Sequence, residues 1–299
     1  LKKRPSSNSE LYGIWNGDEF VFQESSYNVV NMARLFYRYG LGPYHLQNYI
    51  SSILDDFSKI YKLQDDGYAF TNVSSLLAAM NPAFPQMLQI SIKDHLKKLG
   101  YSSVLIDEIV QTTLVVNYGQ ETNVQSFVGC VSVAGMGSEL WAVNGGNRKV
   151  AEGLIKLHEN IRLRKAVVEI IEKNKYANDY PYTIEYSDKT EESYDVVIIA
   201  APLTSDHKHL IRFKNFPNVD FDFSGMYQST YATFVEGQLN NSFFNLESNL
   251  EGVLSCNPEK TVISSVGRLR SVEGTESNVW KIFTRKPLEP EMLDKMFLN

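Results

Sequence analysis

Leu-Trp-Ala-Val-Asn-Gly-Gly-Asn, residues 140–147, is the stretch from which the fold can be worked out. Apolar residues follow it at helical spacing, among them Val150, Leu154 and Leu157. A glycine pair before such a run predicts a tight turn and then a helix, because glycine tolerates backbone angles that other residues avoid. We therefore expect the chain to enter an α/β region at residue 145.

A second apolar stretch, Tyr-Asp-Val-Val-Ile-Ile-Ala-Ala-Pro, occupies residues 194–202. A continuous apolar run that ends at proline predicts a buried strand of a parallel sheet. Residues 161–171 and 182–186 are rich in β-branched and tyrosine side chains, which predicts two further strands. The order of helix, two strands and buried strand predicts an α/β unit.

The residues before and after this unit follow other patterns. Two aromatic runs flank Asn16-Gly17, which predicts a β-hairpin with a type I′ turn. Apolar residues then keep mostly helical spacing over 29–116, and helix packing against a sheet is expected there. Short apolar runs at 229–236, 261–266 and 279–283 predict strands, and a helix is expected after Pro290.

Composition excludes several classes of protein. Of 299 residues, 43% are apolar and 21% charged, as in globular proteins that bury a core. The net charge of −6 argues against a nucleic-acid partner. No apolar run approaches the roughly 18 residues of a membrane span. Cys130 and Cys256 lack the histidine neighbours of a zinc site or catalytic thiolate, so no metal site is expected.

Several strings resemble those of a known family. The turn, helix and strand order resembles the FAD domain of the amine oxidase and phytoene desaturase superfamily. Asn-Tyr-Gly-Gln at 117–120, Phe-Val-Gly at 127–129, the 141–147 segment and Val-Trp-Lys-Ile-Phe at 279–283 narrow this resemblance. Over nearly its whole length, the chain resembles the prenylcysteine oxidases, also called prenylcysteine lyases.

This resemblance implies an activity. Such flavoenzymes cleave the thioether of farnesyl- or geranylgeranyl-cysteine to cysteine, a prenyl aldehyde and hydrogen peroxide. FAD is the implied cofactor, O₂ the acceptor and prenylcysteine the substrate, in the degradation of prenylated proteins. A lysosomal or secretory location is implied too. The sequons at Asn72 and, in particular, Asn240 are therefore candidate glycosylation sites.

The resemblance also implies a fold class, a combination of α+β and α/β. It is the interior of a two-domain FAD oxidase, in which part of a Rossmann-like FAD domain is interleaved with a substrate domain of helices packed on a mixed β-sheet. Residues 1–144 and 216–299 would belong to the substrate domain and 145–215 to the FAD domain. No Gly-x-Gly-x-x-Gly fingerprint occurs in the chain. The family carries this fingerprint upstream, so we expect the chain to be an internal part of a longer protein. The chain by itself should then bind FAD only weakly.

The resemblance assigns candidate cofactor contacts. The glycine pair would let backbone approach a flat ring, a valine would bind adenine through its backbone, and the end of the apolar strand would lie at the ligand edge of the sheet. A plain turn, a core tryptophan and strand termination remain alternative explanations. The cofactor set is Trp141, Gly145, Gly146, Asn147, Val167, Ala201 and Pro202.

Other candidates concern the substrate. Lys281 would correspond to a lysine that related oxidases place near the flavin, although a lysine on a half-buried strand is normally just solvated. Asn117, Tyr118 and Gln120 would form either a helix cap or the rim of the substrate pocket. Aromatic residues of the early helices would line a tunnel for the prenyl chain or pack in the core: Tyr37, Tyr39, Tyr44, Tyr49, Phe57 and Tyr61.

Two alternatives to a prenylcysteine oxidase stay open. One is another oxidase of the superfamily, acting on amines or carotenoid-like substrates. The other is a non-catalytic homologue that acts as a hydrophobe-binding or secreted carrier protein.

Overall fold

The computed structural model describes residues 2–3, 11–135, 141–173, 181–204, 211–217, 219, 221, 225–246, 250–270 and 277–298. The chain divides into two compact units. Unit 1 consists of Leu1–Ala142 with Ser229–Asn299, and unit 2 of Val143–Gln228. Both contain helix and sheet, so the fold is of the α+β class.

Helices dominate the first half of the chain. In order they are α1 (Asn28–Tyr39), α2 (Gly42–Asp65), α3 (Val73–Met80), α4 (Phe84–Met87), α5 (Ile92–Lys98), α6 (Ser103–Leu105), a π-helical turn (Ile106–Val110), α7 (Gln111–Tyr118), α8 (Ser126–Ala134), α9 (Arg148–Ile155) and α10 (Pro290–Met296). The helical region predicted over 29–116 is confirmed, with breaks at Gly40 and Gly100, both of which have positive φ. No helix in the described ranges is long and apolar enough to cross a membrane.

Strands occupy both ends of the chain and the middle. In order they are β1 (Lys2–Lys3), β2 (Tyr12–Trp15), β3 (Phe20–Gln23), β4 (Trp141–Ala142), β5 (Val167–Glu172), β6 (Tyr182–Tyr186), β7 (Glu191–Tyr194), β8 (Arg212–Lys214), β9 (Tyr231–Glu236), β10 (Gln238–Leu239), β11 (Gly252–Ser255), β12 (Ile263–Arg268), β13 (Val279–Thr284) and β14 (Phe297–Leu298). The strands predicted near 229–236, 261–266 and 279–283 are confirmed as β9, β12 and β13.

Unit 1 is organised by a six-stranded sheet in the order β3-β2-β11-β12-β13-β9. Its parallel pair is β2 with β11, in which Tyr12 lies opposite Gly252 and Ile14 opposite Leu254. Strand β11 was not predicted, because four residues beginning with glycine are too few to show a period. This strand nevertheless joins the N-terminal hairpin to the C-terminal strands.

The two faces of this sheet carry different cores. Ile14 belongs to a core shared with the helices, in which Leu46, Leu105 and Leu114 are buried. Trp280 belongs to a second core with residues of the C-terminal segment, including α10. Helix α7 contacts β11 and β12. The predicted packing of the helices on this sheet is therefore confirmed.

The hairpin prediction is right in its strands and wrong in its turn. β2 and β3 are antiparallel. A type I′ turn needs positive φ at both central residues, but Asn16 does not have it, whereas Gly17 does at 104°. The Asn16 side chain instead accepts hydrogen bonds from the backbone N–H groups of Asp18 and Glu19. Its hydrogen-bonding side chain thus builds a longer loop.

Unit 2 contains a four-stranded sheet in the order β7-β6-β5-β8. The strand predicted over 161–171 begins only at Val167, because the residues before it form a turn in which Arg164 has a φ of 62°. β6 agrees with the predicted strand. β5 and β8 pair in parallel, Glu169 lying opposite Arg212.

The predicted buried strand at 194–202 is wrong. β7 ends at Tyr194, and residues 195–204 join no strand. Val196 is 72% exposed and Ile198 86% exposed. Among the described residues of unit 2, the strand that pairs in parallel with β5 is β8 and not the apolar run. The apolar run therefore has no strand beside it there. Apolar composition belongs to the segment itself, whereas strand formation requires a partner.

Replacing Gly252 with alanine tests the pairing of β2 with β11. An added Cβ would lie 2.6 Å from two ring atoms of Tyr12. We expect the free energy of unfolding to fall by roughly 1–3 kcal/mol through overpacking. Urea denaturation followed by tryptophan fluorescence measures this, since Trp15, Trp141 and Trp280 all lie in unit 1.

Gly267 provides the matched control, because it pairs directly with Gly252. No atom of the described residues lies within 4 Å of a Cβ added at Gly267. Gly267→Ala should therefore change the free energy of unfolding by less than about 0.5 kcal/mol. Equal losses for the two variants would contradict the packing described here.

Candidate functional site

Lys281 lies on an open part of the six-stranded sheet. Along β13, Trp280, Ile282 and Thr284 are buried, while Lys281 and Phe283 alternate with them and are half-buried. Alternation places these last two side chains together on the other face of the strand. The Lys281 Nζ lies 4.5 Å from the ring centroid of Phe283, a cation–π contact.

The neighbouring strands widen this open surface. Lys281 pairs with Gly267 on β12 and with Phe234 on β9, and paired residues point to the same face. Phe234 is 60% exposed, and in the part of the chain that is described nothing lies within 4 Å of a Cβ built on Gly267. We call the surface formed by Phe234, Gly267, Lys281 and Phe283 the Lys281 face.

The register relates the Lys281 face to the helical core. Phe283 pairs with Ser265, Ser265 with Leu254, and Leu254 with Ile14. This row of paired residues lies on one face of the sheet, and its far end, Ile14, is buried against the helices. The helices thus cover this face at β2 and leave it open at β13 and β9. Within the described ranges, no carboxylate forms an ion pair with Lys281.

The 117–120 turn follows α7. Gly119 has a φ of 63° and ends the helix in the left-handed conformation, and the Gln120 N–H donates to the carbonyl of Leu114. This is a capping turn. The Asn117 side chain donates to the carbonyl of Ser132, 3.1 Å away, and so ties α7 to α8. The side chain of Tyr118 is exposed.

An ion pair connects this turn to the strand of Lys281. Arg285, just beyond β13, donates from Nη1 to Glu121 Oε1 at 2.7 Å. Both side chains are half-buried. The structure therefore brings the turn that carries Asn117 and Gln120 to the end of β13, although it does not place their side chains on the Lys281 face.

In unit 2, Gly145 and Gly146 form the predicted turn before a helix. The Gly146 N–H donates to the carbonyl of Val143. The two glycines have φ values of 85° and 89°, which other residues rarely adopt. Asn147 occupies the N-cap position of α9 without a capping hydrogen bond from its side chain, and no atom of the described part lies within 4 Å of a Cβ on Gly146. The turn needs glycine for its backbone and also leaves room above it.

Val167 begins β5 at a place where one strand edge is free. Val167 pairs with Tyr186 of β6 on one side. On the other side, the pairing with β8 starts only at Glu169. Among the described residues, the β8-side edge at Val167 therefore has no strand neighbour.

The other predicted cofactor residues are exposed. Trp141 is 58% exposed and lies in unit 1, where β4 pairs with β1. Ala201 and Pro202 are exposed and follow no strand, because the strand expected before them is not formed.

The predicted tunnel aromatics divide into an exposed group and a group that belongs to the helical core. Tyr37, Tyr44 and Tyr61 are exposed. Tyr39 is buried and donates to Glu108, which also binds Arg38. The remaining two are half-buried. Tyr49 forms a hydrogen bond with His95, and the ring of Phe57 contacts that of Phe127. The structure instead identifies Phe234 and Gly267 as partners of Lys281, which only strand register could reveal.

The cysteines are buried and free. Burial raises the pKa of the Cys130 thiol to about 12 and that of Cys256 to about 11. Both thiols are therefore protonated at neutral pH and are poor nucleophiles. In the part of the chain that is described, no three His, Cys, Asp or Glu side chains could hold a metal ion.

The sequons differ in geometry. Asn72 is exposed at the start of α3, where its Oδ1 accepts a hydrogen bond from the Ser75 N–H. Asn240 is half-buried, and its Nδ2 donates to the carbonyl of Lys295 at 2.8 Å. N-glycosylation joins the glycan to the asparagine Nδ2. Among the described residues, the Nδ2 of Asn240 already forms a hydrogen bond, whereas Asn72 uses its Oδ1.

Comparison with known proteins identifies the family. The sequence profile described as prenylcysteine lyase matches residues 22–299. The chain belongs to the prenylcysteine lyase family. Mouse prenylcysteine oxidase 1 is 32% identical over the whole of this chain, and the human protein of that name is 34% identical over 97% of it. Human prenylcysteine oxidase 1-like is 30% identical over 95% of the chain.

These relatives are longer than the chain. The aligned region covers 63% of the mouse protein and 61% of each human protein. This prenylcysteine lyase family chain thus spans about three-fifths of the length of the curated relatives that it matches.

Proposed function

We propose that the protein to which this chain belongs is an FAD-dependent oxidoreductase. It cleaves the thioether of farnesyl- or geranylgeranyl-cysteine to cysteine, a prenyl aldehyde and hydrogen peroxide, with O₂ as acceptor, in the degradation of prenylated proteins. The family match over residues 22–299 carries this proposal. The names of the relatives favour an oxidase over a carrier protein.

Unit 1 is proposed as the substrate domain. The Lys281 face offers the apolar surface that a prenyl chain requires, through Phe234 and Phe283. Covering apolar area stabilises a complex by about 25 cal/mol per Å². Lys281 supplies a positive charge in this apolar setting, and we assign it the role of a polar group that assists turnover. The 117–120 turn, tied to β13 through Glu121 and Arg285, is proposed as a support of the pocket rim.

Unit 2 is proposed as a segment of the Rossmann-like FAD domain of a two-domain FAD oxidase. The apolar side chains of α9 are exposed, as are Val196 and Ile198. Exposed apolar surface of this extent is typical of a surface that other residues or a partner cover. The matched relatives are longer by about two-fifths of their length, and the rest of an α/β domain would provide that layer and a strand neighbour for 195–200.

The residues of unit 2 fit FAD in two places. The open space above Gly146 would accept a flat ring, and the free strand edge at Val167 would accept adenine through backbone groups. Gly145 and Asn147 would complete the turn, whereas Trp141, Ala201 and Pro202 remain predictions from the resemblance. FAD, when bound, supplies the electron-accepting chemistry, so the protein needs no nucleophile of its own.

Lys281→Met in the longer protein tests the assignment of the Lys281 face. Methionine keeps a flexible side chain of similar volume and removes the charge. We expect flavin content to be unchanged and peroxide formation from farnesylcysteine to slow at least tenfold, measured by a coupled peroxidase assay. Turnover equal to that of the unmodified protein would remove Lys281 from the mechanism.

Lys286→Met is the control, since this exposed lysine lies two residues beyond β13. It should leave both flavin content and turnover unchanged. A protein that binds farnesylcysteine without any flavin or peroxide formation would contradict the oxidase and support the carrier alternative.

Gly146→Ala tests the flavin turn. A Cβ meets no atom of the described residues there, but the φ of 89° strains alanine. We expect a loss of roughly 1–2 kcal/mol in stability from this strain, and also a loss of flavin absorbance. Gly67→Ala is matched for strain, with a φ of 73° and open space, and should keep the flavin. Full flavin content in both variants would reduce Gly146 to a structural turn.

We also propose passage through the secretory pathway or lysosome, with glycosylation at Asn72 in preference to Asn240. Asn72 is exposed, whereas the Asn240 amide is bonded to Lys295. Glycopeptide mass spectrometry of the protein expressed in secretory cells should find Asn72 occupied to a greater extent. Greater occupancy at Asn240 would contradict this preference.

A further inference from the structure

A cleft in the helical part of unit 1 lies on residues that the proposed reaction does not use. Its volume is about 510 Å³, and it is formed by α2, the 81–90 segment and α5. Ile53, Phe84 and Met87 line it and are buried. Pockets that bind small molecules are of this size and have such apolar linings with a few polar groups.

One polar group of the cleft is the pair of Tyr49 and His95. The Tyr49 hydroxyl lies 2.6 Å from His95 Nε2. Burial raises the pKa of Tyr49, so its hydroxyl stays protonated, and it donates to Nε2 in one tautomer of His95 and accepts from Nε2–H in the other. Burial and the charge of Lys98 lower the pKa of His95. When Tyr49 donates to Nε2, the neutral imidazole carries its proton on Nδ1, which is then free to donate to a ligand.

The second polar group is Lys98, which also lines the cleft. The cleft contains one carboxylate, Asp56, but its two oxygens accept hydrogen bonds from Lys59 and Asn81. Within the described ranges, no ion pair is formed by Lys98. The cleft therefore combines an apolar lining with the His95 imidazole and with a lysine that forms no ion pair among the described residues.

We propose that this cleft binds a small carboxylate that carries a short aliphatic chain. The carboxylate would accept hydrogen bonds from Lys98 and His95, and the chain would contact Ile53, Phe84 and Met87. Charge-assisted hydrogen bonds to a carboxylate are stronger than neutral ones. The site lies on α2, α4 and α5 and does not depend on the proposed oxidase activity.

Hexanoate is the probe, and hexanol is its uncharged counterpart. Isothermal titration calorimetry should show saturable binding of hexanoate and at least tenfold weaker binding of hexanol. Proton NMR of the histidine rings should show the His95 resonance alone shifting with hexanoate, because a nearby carboxylate stabilises the protonated imidazole and raises its pKa. His95→Gln, which removes the assigned resonance, identifies that signal.

Lys98→Met and Lys97→Met form a matched pair. The two lysines are adjacent and exposed at the end of α5, but only Lys98 lines the cleft. Lys98→Met should weaken hexanoate binding about fivefold, the upper range for a partly exposed ion pair, and Lys97→Met should leave it unchanged. Circular dichroism verifies that both variants are folded.

Three outcomes would overturn the proposal. They are equal affinity for hexanoate and hexanol, equal effects of the two lysine variants, and hexanoate binding without any shift of the His95 resonance. Hexanoate binding is measured without turnover, so this test holds whether or not the protein forms peroxide. Retained peroxide formation in Lys98→Met would show that the proposed oxidase reaction does not need Lys98.

Discussion

The parallel pairing of β2 with β11 is the constraint on which unit 1 depends. It joins a hairpin near the start of the chain to strands more than 200 residues later, and the two segments share one sheet only through this contact. The approach is close because Gly252 has no side chain to meet the ring of Tyr12. Loop closure over so many residues is entropically costly, and two cores on opposite faces of the sheet offset that cost.

The sheet that results is covered unequally. The helical layer is anchored where Ile14 enters its core, and α7 reaches β11 and β12. Beyond β12, the same face carries Lys281 and the exposed ring of Phe234. A half-covered sheet is a means of making a ligand surface, because the covered half fixes the strands and the uncovered half keeps their side chains accessible.

Unit 2 presents a different situation, because apolar side chains in its described part are not covered by other residues. α9 and the 195–200 run have the composition of buried elements, yet α9 has no buried residue and Val196 and Ile198 are exposed. A parallel strand forms only when neighbours are present on its edges and helices on its faces. The family match over three-fifths of longer relatives supports the proposal that these neighbours belong to the remainder of the protein.

The sequence by itself determined the helical region of 29–116, five of the six strands of the unit 1 sheet, the glycine turn before α9 and the family. Each rests on local periodicity, turn chemistry or strings of neighbouring residues, which short stretches encode. The tertiary structure alone decided the role of β11, the exposure of 194–202 and the partners of Lys281. Those depend on which distant segments are available to pair, and no short stretch of sequence contains that information.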